Sequence, residues 1–447
     1  MSSVERDIRL ITRHIYGTWR PQREWKTPLY IVKVDGAYFY DNTGKRYLDF
    51  SSQIMDANLG LSNDVVINSI CKQLKEIPCL HPGFVCDVKA RAVEALLEVM
   101  PKGLEVFFFS NSGTEANEDA IKIIRLYKAP KYKIISRYRS YHGATASGIA
   151  LTGDPRRWFA EPVTKTPGII FAPDAYCYRC PFNLKYPDCG IQCAEYVNYM
   201  IKMEGNVAAI FVETVVGTNG IIVPPKEYFP RLREIADEND VLLVVDEVMS
   251  GWYRTGESFA IKHWNVQPDM LTTAKGASAA YIPLGITATT REIRDYFENR
   301  FLATGHTYAA HPTSLAALPA VIKEYKRLMN SGLPQRVSKY LEKRLRELME
   351  DHKCIGDVRG LGHFWAIEIV KNRETKEPFN TRSDKAAMKP LMTVKLSAEM
   401  LKRGLHLVPW ISHFIVAPPL IITEEQVDEA IEIIDEVLKI ADAETKE

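Results

Sequence analysis

The chain has 447 residues, with 57 Lys and Arg against 56 Asp and Glu, a formal net charge of +1, and 46% hydrophobic and 25% charged residues. That balance speaks against a binder of polyanions, no apolar run approaches the ~20 residues that cross a bilayer, and eight cysteines in this length are too sparse for a disulfide scaffold. A single core stops growing at roughly 250–300 residues, so two core-bearing units are expected, in a soluble cytoplasmic protein bound to neither nucleic acid nor membrane.

In chain order, the start (MSSVERDIRL) lacks the apolar stretch of a signal peptide, and a hairpin is expected from Tyr30–Val34 and Ala37–Asp41. The middle alternates short apolar runs with helix-like stretches. The runs are Val106–Phe109, Ile134–Ser136, Val207–Val212, Val241–Val245 and, more weakly, Met270–Thr273; the helices include Thr114–Tyr127 and Tyr228–Glu238. Continuous rather than alternating apolar runs suit strands buried on both faces of a parallel sheet. The class is therefore α/β, with ligands expected at the carboxyl ends of the strands. The last part reads as α+β: helices over Pro319–Met329, Gln335–His352, Lys385–Arg403 and Glu424–Lys439, with strands over His363–Val370, Leu405–Val408 and Phe414–Ala417. Val427, Ala430, Ile431, Ile434, Val437 and Leu438 form one apolar helical stripe.

The strand ends carry the chemistry. There is no G-x-G-x-x-G, Walker loop, H-E-x-x-H or G-x-S-x-G. After Val106–Phe109 comes Ser110-Asn111-Ser112-Gly113-Thr114-Glu115-Ala116, a small-residue turn into a helix that reads either as an ordinary N-cap or as a phosphate cradle. Glu213 and Asp246-Glu247 end the next buried strands, and buried carboxylates need partners. Lys275 follows a strand among Ala274, Gly276, Ala277, Ala279 and Ala280; a lysine desolvated in this way has a lowered pKa and can form a Schiff base. Phosphate cradle, strand-end carboxylate and strand-end lysine are together the requirements of pyridoxal 5'-phosphate.

Several motifs complete a resemblance: N-S-G-T-E-A at Asn111–Ala116, Y-H-G at Tyr141–Gly143, E-T at Glu213, D-E-V at Asp246–Val248, A-K-G at Ala274–Gly276 and A-P-P-L at Ala417–Leu420. In this combination, spread from about Tyr38 to about Ile434, the chain resembles the class III (omega) aminotransferases of pyridoxal-phosphate fold type I, in their amine–pyruvate-like branch. The resemblance implies a large, mixed but mostly parallel cofactor-binding sheet domain over 64–318. It also implies a smaller α+β domain built from 1–63 and 319–447. Lys275 would hold the cofactor and move the proton; Asp246 would keep the pyridine nitrogen protonated; Val248 and Tyr141 would flank the ring. Ser112, Gly113 and Thr114 would take the phosphate, and Glu213 and His142 would lie beside the cofactor, His142 as a supporting group. Thr307 would reach the phosphate of a neighbouring subunit, which implies a homodimer with active sites at its interface. The reaction requires no metal.

Departures from the family point to substrate. An arginine follows Y-H-G in relatives that take 4-aminobutyrate or ornithine, and Ala144 stands here. The mobile arginine of the amine–pyruvate branch falls near Val408, and no arginine lies between Arg403 and Pro418. Met55, Phe84 and Trp410 would make the pocket apolar. The expected reaction moves an amino group from a primary amine or ω-amino compound to a 2-oxo acid, pyruvate being favoured, by ping-pong chemistry. An aminomutase, a racemase or a 4-aminobutyrate/ornithine-type aminotransferase is the alternative. Cys177-x-x-Cys180 and Cys189-x-x-x-Cys193 lie in a short insertion after Pro173 and read as zinc ligands, two disulfides or free thiols.

Overall fold

The computed structural model describes residues 2–161 and 166–446. The buried apolar runs become a seven-stranded sheet. Its spatial order is Val106–Ser110, Gly285–Thr289, Met270–Thr273, Leu242–Asp246, Val207–Glu213, Lys133–Arg137 and Ile169–Ala172. Val207–Glu213 and Leu242–Asp246 are buried along their whole length, as strands covered by helices on both faces must be. Gly285–Thr289 runs antiparallel to both of its neighbours, and the other pairings are parallel, so the sheet is mixed. The register pairs Glu213 with Asp246 and Asp246 with Thr272, which brings the carboxylates and the strand before Lys275 out at one level. Helix Tyr228–Glu238 packs on this layer through Tyr228, Phe229, Leu232, Ile235 and Ala236.

A second core joins the two ends of the chain. Ala37, Leu48 and Phe50 pack with Val337, Leu341, Leu345, Ile367, Phe414 and the stripe Val427, Ala430, Ile431, Ile434, Val437 and Leu438. The meander Ile31–Asp35, Tyr38–Asp41, Arg46–Asp49 takes Leu405–His406 as a fourth, parallel strand. A separate antiparallel sheet orders Ile355–Leu361, Phe364–Asn372, His413–Val416 and Val408–Pro409. Two expectations are corrected here. The helix expected over Lys385–Arg403 is two, Arg382–Ala386 and Met392–Lys402, because Pro390 lies between them. The strand expected over Leu405–Val408 divides at Leu407 between the two sheets.

The two cores meet at Arg254. Its buried guanidinium donates to the carbonyls of Ala417 (3.0 Å) and Pro418 (2.6 Å), to Ser52 Oγ (3.1 Å) and to Asn58. Burial lowers its pKa to about 10. Among the described residues, no helix is long and apolar enough to cross a membrane.

Candidate active site

The carboxyl ends of the central strands open into a cleft of about 390 Å³, within the range of small-molecule sites. Nine residues singled out from sequence line it: Ser112, Gly113, Thr114, Tyr141, His142, Glu213, Asp246, Val248 and Lys275. Asp56, Asn117, Met249 and Ser278 also line it and were not anticipated.

Ser112 caps helix Gly113–Tyr127, its hydroxyl accepting from Glu115 N at 3.3 Å. Glu115 reaches back to Asn111 N (2.7 Å) and Asn111 Nδ2 (2.9 Å), so the turn is a well-made cap. Cap and anion cradle coexist, because the first N–H groups of any helix lack intrahelical acceptors and this first turn faces the cleft. A Cβ on Gly113 would come within 2.9 Å of Val248 Cγ1, so glycine lets the turn lie against that side chain. Gly143 has φ +135°, and a Cβ there would strike Thr114 Oγ1 at 2.0 Å. Thr114 Oγ1 in turn accepts from Ala144 N at 3.1 Å.

Asp246 is 3% exposed and tightly held. Its Oδ1 accepts from Val248 N (2.9 Å), and its Oδ2 accepts from Asn117 Nδ2 (2.9 Å) and meets His142 Nδ1 (2.8 Å). His142 is buried edge-on to Phe211, and its Nε2 has no protein partner among the described residues. Glu213 accepts from Tyr141 N (2.9 Å) and Gly217 N (2.7 Å). Burial raises its pKa to about 7; Asp246 pushes the same way, while His142 and the two N–H groups oppose.

Lys275 sits at φ +40° at the start of a short 3-10 turn, a left-handed backbone that L side chains seldom adopt outside functional sites. Burial lowers its pKa, against the pull of Asp56, Asp246 and Glu213. Asp56 enters the cleft from Ser52–Met55, a segment with positive φ at Ser52, Gln53 and Met55. That backbone turns Met55 into the main core, 3% exposed, so it does not line the cleft. Phe84 is 61% exposed in a loop, against His81 at 5.0 Å, and is also outside the cleft of a single chain. Thr307 is exposed and likewise outside it. Trp410 reaches the site indirectly, through Arg156.

Arg156 was not anticipated. Asp154 caps helix Pro155–Ala160 by accepting from Arg156 N at 2.8 Å, and its carboxylate also takes the Arg156 guanidinium and Asn219 Nδ2 (3.1 Å). The guanidinium then lies on the Tyr141 ring, 3.7 Å from its centroid, with Trp410 at 4.6 Å and Trp19 at 5.5 Å. It is close enough to Lys275 to help lower that pKa. Neither expected arginine position is filled; Arg156, paired with Asp154 and behind Tyr141 rather than among the cleft-lining residues, acts on Lys275 only electrostatically. The local Asp154-Pro155 helix start is legible in sequence; its contact with Tyr141 and Trp410 is not.

Residues 20–438 match the family model for Aminotransferase class-III, and the chain belongs to that family. Its members are pyridoxal-phosphate-dependent transaminases. The chain is 30% identical to a putrescine–pyruvate aminotransferase of Pseudomonas aeruginosa, over 90% of this chain and 88% of the relative. It is 32% identical to a leucine/methionine racemase of Thermococcus litoralis, over 93% and 91%. A taurine:2-oxoglutarate aminotransferase from Bifidobacterium kashiwanohense, solved with PLP and glutamate, superposes with a TM-score of 0.92 at 32% identity, covering 99% of each chain. The fold is that of the type I pyridoxal-phosphate enzymes.

Proposed function

We propose that this aminotransferase moves the amino group of a small amine that itself carries an anionic group to a 2-oxo acid, each partner's anionic group resting in turn on Arg156. The observation that carries the reading is the guanidinium on Tyr141, a cleft-lining ring, near enough to act on a half-buried Lys275 that burial favours in its neutral form. A ping-pong enzyme must bind two different substrates in one place, and a cation that recognises an anion common to both meets that need. The relatives named for taurine support the anionic donor, whereas the relative named for putrescine and pyruvate supports only the 2-oxo acid acceptor. Trp19 and Trp410 would flank the anchor.

The cleft residues suit the cofactor. The Ser112–Thr114 turn offers N–H groups and hydroxyls to its phosphate, the bare Cα of Gly113 leaves room beside Val248, and Asp246 can hold a protonated ring nitrogen. When bound, the cofactor supplies the electron sink for a carbanion. Asn117, His142 and Val248 N orient Asp246. Lys275 would hold the cofactor through its Nζ, and the same Nζ would hold and return the proton at the substrate carbon. Glu213 clamps the Tyr141 backbone and so sets the ring that supports Arg156. The active unit is a cytoplasmic homodimer, in which exposed Thr307 and Phe84 face the partner's cleft.

The test is steady-state kinetics with taurine, 4-aminobutyrate, putrescine and an arylalkyl amine, each against pyruvate and 2-oxoglutarate. Preference for the anionic donors, lost in Arg156→Ala, is expected. Preference for the arylalkyl amine would return the pocket to an apolar type. Turnover of a single amino acid without any oxo acid would place the chain with the racemase relative.

A further inference from the structure

The insertion after Pro173 lies outside the cleft and has no part in the reaction. It brings its four cysteines around one small cavity of about 20 Å³, room for a single ion or water and nothing larger. Cys177 opens a 3-10 turn and Cys180 ends it. Cys189 stands at the turn leading into helix Gln192–Glu204, and Cys193 lies in the first turn of that helix. Each half is braced by its own backbone: Asn183 N donates to Cys180 O (3.1 Å) and Gln192 N to Cys189 O (3.2 Å). No two of the sulfurs are bonded to each other. Cys189 and Cys180 are both near enough to Cys177 to act on its thiol electrostatically. The rest of the lining is largely apolar, including Tyr176, Phe182, Leu184 and Pro225, and contains no lysine, arginine or histidine that could pair with a thiolate.

We infer that this insertion is a structural Zn²⁺ site whose ligands are the thiolates of Cys177, Cys180, Cys189 and Cys193. Two short-spaced cysteine pairs that line one ion-sized cavity supply the four thiolates that a closed tetrahedral sulfur site needs. The sulfurs are spread round the cavity rather than gathered, so binding draws the two halves together. Each ligating thiol gives up one proton to solvent as its bond to zinc forms, and no electron is transferred. His352, Cys354 and Asp442 make the tighter group, with ligand atoms within 4.8 Å of one another. There, however, His352 Nδ1 meets Asp442 (2.6 Å) and Nε2 meets Asp435 (3.0 Å), so the ring has no free lone pair and the group satisfies itself.

The residues that alternate with the first two cysteines explain what zinc would hold. Tyr176 Oη donates to Glu368 (2.8 Å), the Tyr178 carbonyl accepts from Lys376 Nζ (2.7 Å), and Arg179 pairs with Glu368 (3.2 Å). Zinc would fasten this strap, which ties the large sheet's side of the molecule to strand Phe364–Asn372.

The experiment is metal analysis of the holoenzyme purified without chelator from zinc-supplemented cells, with thermal melting before and after chelation. About one zinc per chain is expected, together with a lower Tm on chelation that added Zn²⁺ restores. Co²⁺ in its place should give thiolate charge-transfer bands clear of the cofactor's absorption. Cys177→Ser and Cys189→Ser, one from each half, should lose the metal while the folded fraction keeps the lysine-bound cofactor band. All eight cysteines should titrate in denaturant with chelator and without reductant. If the variants do not fold, chelation and refilling of the unaltered holoenzyme still decide. No zinc and no Tm response would overturn the site. So would fewer than eight thiols, which means disulfides, or iron with sulfide in place of zinc.

Discussion

Two regions of this molecule bury charge, and they do opposite things with it. In the antiparallel sheet, Glu368 is 2% exposed, yet it meets Arg359 (2.7 Å), Arg179 (3.2 Å), Tyr176 Oη (2.8 Å) and Ser412 Oγ (3.0 Å). Burial alone would raise its pKa, but Arg359, His413 and Arg179 outweigh it and hold the carboxyl below the usual range. At the ends of the parallel strands, Glu213 accepts two backbone N–H groups and makes no ion pair among the described residues, so burial wins and its pKa rises to about 7. Lys275 beside it is pushed the other way by the same cause. Complete pairing makes a buried charge a fastener; incomplete pairing beside a cleft leaves it reactive.

Substitutions can break that contrast, and the largest effect is expected at Lys275. Lys275→Ala should cost on the order of 10⁴-fold or more in turnover and remove the visible band of the lysine-bound cofactor, with the melting temperature of the chain little changed. An active mutant would mean that the proton is carried elsewhere.

Next, Arg359→Met strips Glu368 of its nearest partner. Leaving that carboxylate buried should destabilise the protein by about 3–5 kcal/mol, read by denaturant unfolding, while kcat per folded molecule stays near the unaltered value. A large fall in kcat at unchanged stability would show that the fastener reaches into the chemistry.

Glu213 tests the other side. Its pKa is raised from 4.5 to about 7 in the folded chain, so the folded state holds the proton more tightly. Its contribution is fully present below pH 4.5 and is lost as pH climbs through about 7. The whole excursion is worth on the order of 3 kcal/mol. Melting curves of the holoenzyme and of Glu213→Gln should therefore diverge in the variant's favour as pH rises through that window. Parallel curves would show that Glu213 is as fully paired as Glu368.

The smallest effect is expected at Arg156. Arg156→Ala should raise KM for the 2-oxo acid roughly 10–100-fold, the size of a charged hydrogen bond or two, with a lesser change in kcat. Arg156→Lys should recover part of it, since it keeps the charge and loses the flat stacking on Tyr141. An unchanged KM would place the anchor elsewhere.

The central strands, helix Tyr228–Glu238 and the cap at Ser112 were legible in sequence, because continuous apolar runs and cap spacing are local signals. Strand Gly285–Thr289 was not among the elements expected. Its direction is set by pairing between Val106–Ser110 and Met270–Thr273, and no local pattern encodes an antiparallel insertion. Pro390 is a local helix breaker set within a pattern that otherwise reads as one long helix. Asp56 was missed because it reaches the cleft through a run of positive φ that no glycine announces.

The sequence by itself determined the class of chemistry. A lysine, a carboxylate and a small-residue turn directly after buried strands must emerge on the same edge of a parallel sheet, whatever the rest of the chain does. Only the tertiary structure decided what stands around them. Arg156 comes to Tyr141 from a helix start 15 residues away, Trp410 arrives from the far end of the chain, and Asp246 is held by Asn117 and His142. Such contacts are made by packing between distant segments. Local spacing carries no record of them, although they set the electrostatic surroundings of the lysine.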